Sequence, residues 1–388
     1  MYLNTHRARV VVALALTCAL TLSESVRPAH ADDKDCDALP TAVVHHPAGS
    51  RPKHVFIIVL ENESYDETFG ADSKAPFLAK CLTKKGQLLT SYYGIGHFSL
   101  DNYIAMISGQ SPNPETQLDC AIFDDVALTK PGLDANGQAV GHGCVYPSDV
   151  RTIANQLEER HRTWRGYIEN MQTACQHPKY GEVDPCEKGK DCLQYATKHN
   201  PFVYFHSISN KDCRENDVPL NQLESDLKRV ESTPNLSFIA PNLCNDGHDH
   251  DPKTGKCVDG TTDGGLVAID SFLRREVPLI MSKPAYQQDG MLIITFDEAE
   301  IDGEHKDTNS CCREPKGPNT QLPGMFGSGS GKIGALIISS FVKPGTTNPK
   351  DYNHYSLLRS LETLFGLDHL GYAEKPNPGE FRTDVYNQ

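Results

Sequence analysis

Ser99 is the residue around which a reaction can be arranged. It opens Ser99-Leu100-Asp101-Asn102-Tyr103-Ile104-Ala105-Met106-Ile107-Ser108, where a polar loop turns into a short helix with Ile104, Met106 and Ile107 on its buried side. A hydroxyl at a helix N-terminus meets unpaired backbone N–H groups and the positive end of the helix dipole, which stabilise both an alkoxide and a phosphate. A serine there is also an ordinary N-cap, so alone it announces only that a helix begins. Two further groups give it chemistry. Glu61 and Asn62 follow one apolar run, and Asp297 and Glu298 follow another. They offer only hard oxygen atoms, a set that selects Mg²⁺, Mn²⁺ or Ca²⁺ over a thiolate-type zinc site. A divalent ion beside Ser99 would lower the hydroxyl's pKa and bind a phosphoryl oxygen, two tasks of metals in phosphate-ester cleavage. Without a cation, carboxylates gathered that closely would repel one another.

The elements that must position these residues are legible as apolar runs. His54 to Leu60 is continuous and β-branched, as in a strand buried on both faces. It ends at Glu61 and Asn62, where open α/β sheets place their chemistry. Met291 to Phe296 repeats that design and delivers Asp297 and Glu298. Trp164–Ile168, Phe202–Phe205, Leu236–Ala240 and Gly334–Ser340 read as further strands. Helices are expected over Ala75–Thr83, after a Ser148 cap with Ile153 and Leu157 inward, over Leu220–Val230, over Leu266–Ser282, and over Ser356–Phe365 with Gly366 as the stop. After Leu236–Ala240 comes Pro241 to Asp251, the densest group of ligand-type side chains, including Asn245, Asp246, His248 and Asp249. It reads as a calcium-binding loop, as a solvated loop clipped by Cys244 and Cys257, or as part of the reaction site. A lone histidine such as His248 or His354 is more often structural than catalytic, and a metal site beside both makes them candidates for proton transfer.

Composition bounds the setting. His6, Arg7 and Arg9, the apolar stretch Val10–Leu22 and the small-x-small Ala29-His30-Ala31 read as an export signal over residues 1–31, giving a secreted or periplasmic protein. Residues 32–53 read as a leader and 54–388 as one domain, with insertions near 110–147 and 172–200. No later apolar run is long enough for a transmembrane segment. With 37 Lys+Arg against 51 Asp+Glu the net charge is −14, which repels polyanions and argues against nucleic acid as a partner. Of 13 cysteines, Cys18 leaves with the signal; the even remainder in an exported chain favours disulfides. Cys120 and Cys144 are placed to hold the first insertion, and Cys175, Cys186, Cys192 and Cys213 crowd the second; the pairing stays open.

The blocks Val59 to Gly70, His97 to Gly109, Trp164 to Met171, Pro241 to Asp249, Thr295 to Glu298, and Lys343-Pro344-Gly345 with His354 to Leu358 resemble a family. It is the bacterial phosphoesterase family of acid phosphatases and phospholipases C, including phosphatidylinositol-3-phosphatase-like enzymes, within the alkaline phosphatase superfamily. The resemblance implies a three-layer α/β/α sandwich. It implies Glu61, Asn62, Ser99, Asp297 and Glu298 as the shell of a divalent metal, with Ser99 the nucleophile and Asn102 a holder of a phosphoryl oxygen. His97, His248 and His354 then serve substrate binding or proton transfer, and Asn245 and Asp246 substrate binding. Gly247 stands where the family often has Met, and Asp101 where it often has Pro. The reaction expected is hydrolysis of phosphate monoesters through a phosphoserine, on a small phosphate ester or a phosphoinositide or phospholipid head group. A phospholipase C-type diesterase and an inactive binding protein of the same fold are the alternatives. A sulfatase is disfavoured, because Ser99 to Tyr103 lacks the Pro and Arg of a formylglycine-generating site.

Overall fold

The run His54–Leu60 forms strand β1 in the interior of an eight-stranded sheet in the computed structural model, and all seven of its residues are buried. The structure describes residues 36, 39–40, 46–47, 49–186, 194–251, 253–257, 260, 262–375 and 379–386. The expected signal over 1–31 lies outside them, as does most of the leader. The other strands are β2 (Gln87–Leu89), β3 (Trp164–Ile168), β4 (Asp217–Pro219), β5 (Leu236–Ala240), β6 (Gly290–Phe296), β7 (Ala335–Ser339) and β8 (Thr346–Asn348). Across the sheet they run β8, β2, β7, β6, β1, β5, β3, β4. From β6 to β4 the pairing is parallel throughout, and β7 is antiparallel to both its neighbours. In the β1–β6 register Leu60 stands opposite Phe296, so the polar pairs that follow emerge side by side at one sheet edge. Apart from His54 and Thr295 both strands carry no polar side chain, and every position is buried, because helices cover both faces.

The helices complete a three-layer α/β/α sandwich. On one side α1 (Ser99–Ser108) packs on α2 (Ile153–Glu159) and α4 (His354–Phe365). On the other, α3 (Gly265–Met281) packs on the helical turn Phe77–Cys81 and on the helix Pro284–Asp289. Several boundaries differ from the sequence reading for local reasons. The cap of α2 is Thr152, in a reciprocal capping box with Asn155, and not Ser148. Phe202–Phe205 is no strand: Pro201 starts a 3₁₀ helix over Pro201–Tyr204 whose rings fill the space beside Trp164 and Phe238. The expected helix Leu220–Val230 is divided into Leu220–Gln222, Leu223–Asp226 and Val230–Ser232. The 110–147 insertion, expected as loop, contains the hairpin Ala127–Leu133 with Ala139–His142.

Disulfides join Cys36 to Cys81, Cys120 to Cys144, Cys175 to Cys213, Cys244 to Cys257 and Cys311 to Cys312, and Cys186 is also disulfide-bonded. The first ties the leader to the domain, and the second and fourth close the loops they were expected to close. No helix among the described residues is long and apolar enough to cross a membrane.

One buried acid gives the fold a pH dependence. Asp217, at the start of edge strand β4, is fully buried, and Asn200 Nδ2 donates to its Oδ2 at 2.8 Å. Burial pushes its carboxyl up to about 7. A raised folded-state pKa contributes stability that is complete below the unfolded value near 4 and is lost as pH rises through about 7. Asp217→Asn removes this titration and is expected to reduce the fall in stability between pH 4 and pH 8 by up to roughly 4 kcal/mol. Urea denaturation of both proteins at the two pH values measures it; parallel pH profiles would show that Asp217 does not carry the effect.

Candidate active site

Three strand ends converge. Beyond β1, the Glu61 N–H donates to the Asp246 carbonyl at 2.9 Å, which fastens the loop after β5 to the end of β1. Beyond β6, the Asp297 N–H donates to the Leu60 carbonyl at 2.9 Å, and Asp297 Oδ1 accepts from the Asn62 and Glu298 N–H groups at 3.1 and 2.6 Å. Glu61, Asp246, Asp297 and Glu298 are all buried. Asn62 has φ = 51°, a left-handed conformation that a non-glycine residue adopts where the surroundings enforce it, often at functional sites. Gly247, by contrast, needs to be glycine: at φ = 111° a Cβ would lie 2.3 Å from Ile269 Cδ1.

Ser99 is the first residue of α1, and its hydroxyl does not cap the helix. Phe98 occupies the cap position, the Leu100 N–H donates instead to Asp119 Oδ1 at 3.0 Å, and Ser99 Oγ donates to Glu61 Oε1. The hydroxyl therefore points into the acidic cluster. Asn102 takes a different part from the one the resemblance implies. Its Oδ1 accepts from the N–H groups of Ile95 and Gly96 at 2.7 and 3.1 Å, and its Nδ2 donates to the carbonyls of Gly96 and Phe98 at 2.8 and 3.2 Å. Both amide hydrogens are engaged, so Asn102 holds the loop that presents Ser99 and has none left for a phosphoryl oxygen.

The histidines also separate. His97 is buried with Nδ1 against Glu298 Oε2, and burial lowers it to about 4. His354 is buried too: Nε2 donates to the Asp297 carbonyl at 2.6 Å, so Nδ1 is the acceptor for the Tyr92 hydroxyl at 3.2 Å. Burial lowers it to about 4 as well, so it is a neutral ring that fixes the Asp297 backbone. His248 is exposed, its N–H donates to Asp246 Oδ1 at 3.1 Å, and its Nε2 stands 3.2 Å from the Asn62 side-chain amide. Asn245 turns away from the cluster, its Nδ2 donating to both carboxylate oxygens of Glu169 at 3.0 and 2.8 Å.

Two residues were not singled out in the sequence. His199 packs its ring parallel to Tyr103 at 5.1 Å, with Nε2 against Glu61 Oε2 and Nδ1 3.6 Å from Asp246 Oδ2. Lys198 Nζ lies 3.1 Å from Asp119 Oδ2. The signal available was a Lys-His pair directly before Asn200-Pro201, at the end of a segment read as a cysteine-rich insertion. The turn Thr197–His199 in fact packs against α1.

The donor set fits a hard divalent ion. Glu61, Asp297 and Glu298 each offer an oxygen, all within 4.8 Å of one another. Burial, then the neighbouring Glu61 and other acids, push Asp297 and Glu298 well above the usual carboxylate range. Burial would do the same to Glu61, but His199 and Lys198 hold it below that range. Asp297 Oδ2 and His97 Nε2 are buried without a hydrogen-bond partner among the described residues. One arm of the Asn62 amide stands 2.9 Å from Glu298 Oε1 and 3.1 Å from Glu61 Oε1. If its nitrogen occupies that arm it donates to both; if its oxygen does, an all-oxygen cradle remains that a cation would complete.

The chain is similar to known proteins over most of its length. The model of the Phosphoesterase family matches residues 71–368. The chain is 30% identical to the phosphate-repressible acid phosphatase of Penicillium chrysogenum, over 93% of its own length and 71% of that protein's. It is 25% identical to the phosphatidylinositol-3-phosphatase of Mycobacterium tuberculosis, over 84% and 81%. A solved protein of the alkaline phosphatase superfamily from Vibrio parahaemolyticus superimposes with a TM-score of 0.51 at 13% identity, covering 90% of this chain and 78% of that one.

Proposed function

The chain belongs to the Phosphoesterase family and is a phosphoric ester hydrolase, and from that premise we propose that it is an exported, metal-dependent phosphatase cleaving phosphate monoesters through a phosphoserine at Ser99. The observation that carries this reading is the Ser99 hydroxyl turned onto Glu61 among buried carboxylates at the strand ends. Ser99 Oγ attacks phosphorus in line with the leaving alkoxide, its proton already directed at Glu61 Oε1, and water then cleaves the phosphoserine. Glu61, Asn62, Ser99, Asp297 and Glu298 would hold a divalent ion, which neutralises phosphoryl charge and lowers the serine's pKa when bound. The N-terminus of α1 adds the positive end of its dipole. His248, exposed at the mouth of the cluster, protonates the leaving alkoxide; His354, with both ring nitrogens engaged, positions Asp297. Export follows from residues 1–31, the disulfides suit an oxidising compartment, and residues 54–388 act as one catalytic domain. The substrates are small phosphate esters, including phosphoinositide head groups by similarity to the mycobacterial relative.

Substrate class tests the reading. The kcat/KM for p-nitrophenyl phosphate is expected to exceed that for p-nitrophenylphosphorylcholine by about tenfold or more, since a monoester dianion gains more from the positive and donor groups of the site and brings no second substituent. A preference for the choline diester would reassign the protein to the phospholipase C type. Rapid acid quench with ³²P-labelled substrate should trap label on Ser99.

A further inference from the structure

One carboxylate away from the start of α1 stands a cation with no part in the chemistry so far. The Lys198 side chain is 12% exposed, and its ammonium donates to Asp119 Oδ2 at 3.1 Å. The other oxygen of that carboxylate accepts the N–H of Leu100, the residue after the nucleophile. On the other side, the next residue, His199, lies against Glu61 Oε2, while Glu61 Oε1 takes the Ser99 hydroxyl. Lys198 is thus tied to the nucleophile by two routes, one through Asp119 and Leu100, the other through His199 and Glu61. Its charge acts on Glu61, Asp246 and Glu298.

We propose that Lys198 is the specificity-determining cation of this site, a point charge that recognises the second negative charge of a phosphate monoester and so separates monoesters from diesters. The inference rests on the phosphatase reading and deepens it. Three features carry it. An ammonium has three N–H donors, and Asp119 takes one of them, leaving others for a phosphoryl oxygen. Asp119 is already engaged by the Leu100 N–H, so it orients the lysine without needing it as a sole partner. A largely desolvated ammonium, held by the carboxylate that also takes the Leu100 N–H, acts at low dielectric on the charge that distinguishes the two ester classes.

The test compares wild type, Lys198→Gln and Lys198→Arg on p-nitrophenyl phosphate and bis-p-nitrophenyl phosphate, with inorganic phosphate as competitive inhibitor. Lys198→Gln is expected to lower kcat/KM for the monoester on the order of 100-fold and for the diester less than about fivefold, and to raise the phosphate Ki by a similar factor to the monoester loss. Lys198→Arg is expected to restore most of the monoester-to-diester ratio. Should Lys198→Gln fail to fold, Lys198→Met, which keeps the packing of the stem, replaces it. Equal losses on both esters, or an unchanged phosphate Ki, would overturn the role of Lys198 and leave the phosphatase reading standing. A wild-type enzyme that cleaves neither ester would overturn both.

Discussion

Ser99→Ala is expected to lower p-nitrophenyl phosphate turnover by on the order of 10⁴-fold or more, because the change removes the attacking oxygen itself. The fold should survive. The hydroxyl is not the cap of α1, whose first free N–H on Leu100 is held by Asp119, so no capping energy is lost. What is lost is one hydrogen bond to a buried carboxylate, a change of about 1–3 kcal/mol. Covalent labelling from ³²P-substrate should vanish together with turnover. A folded Ser99→Ala protein with near wild-type kcat would place the nucleophile elsewhere, and a normal kcat with no trapped label in wild type would replace the phosphoserine by direct attack of water.

Asp297→Ala is expected to lose bound metal and activity together. Its carboxylate is fully buried, Oδ1 gathers the N–H groups of Asn62 and Glu298, and Oδ2 has no partner among the described residues. Removing it therefore takes away an anionic oxygen and loosens Asn62 and Glu298, the two neighbours expected to share the ion. Metal per chain, measured by inductively coupled plasma mass spectrometry after dialysis against Mg²⁺, Mn²⁺ or Ca²⁺, should fall from near one equivalent to background, with kcat/KM falling about 10³-fold or more. A thermal shift on metal addition should be present in wild type and absent in the variant. Full metal content in a folded Asp297→Ala protein would show that the ion is held elsewhere.

The residues legible from the chain alone were those whose meaning is local. Six apolar residues before Glu61 and a similar run before Asp297 have to be strands covered on both faces, and a strand's end is where side chains become free for chemistry. Ser99 was legible because a hydroxyl meeting a helix start is a local event, and the loops closed by Cys120–Cys144 and Cys244–Cys257 because their partners lie near in sequence. Where local preference and packing disagreed, packing won. Phe202–Phe205 has the composition of a strand, yet Pro201 and the stack on Trp164 make it a 3₁₀ turn. Local pattern likewise cannot pair Cys36 with Cys81 or Cys175 with Cys213 across the chain.

The roles of side chains were decided in three dimensions. Asn102, His354 and Asn245 were expected at substrate, but a polar group that is buried or crowded goes first to the backbone and carboxylates around it: Asn102 to the 95–98 loop, His354 to Asp297 and Tyr92, Asn245 to Glu169. Lys198 and His199 went the other way. In sequence they end a polar, cysteine-rich insertion with no periodicity to mark them, and the fold turns that insertion back onto α1 so that His199 meets the buried Glu61 and Lys198 the Asp119 carboxylate. Sequence by itself determined which strands could carry acids to one sheet edge, since continuous burial is written residue by residue. Tertiary structure alone decided which cations meet those acids, because charge pairing depends on distance through space and leaves no period along the chain.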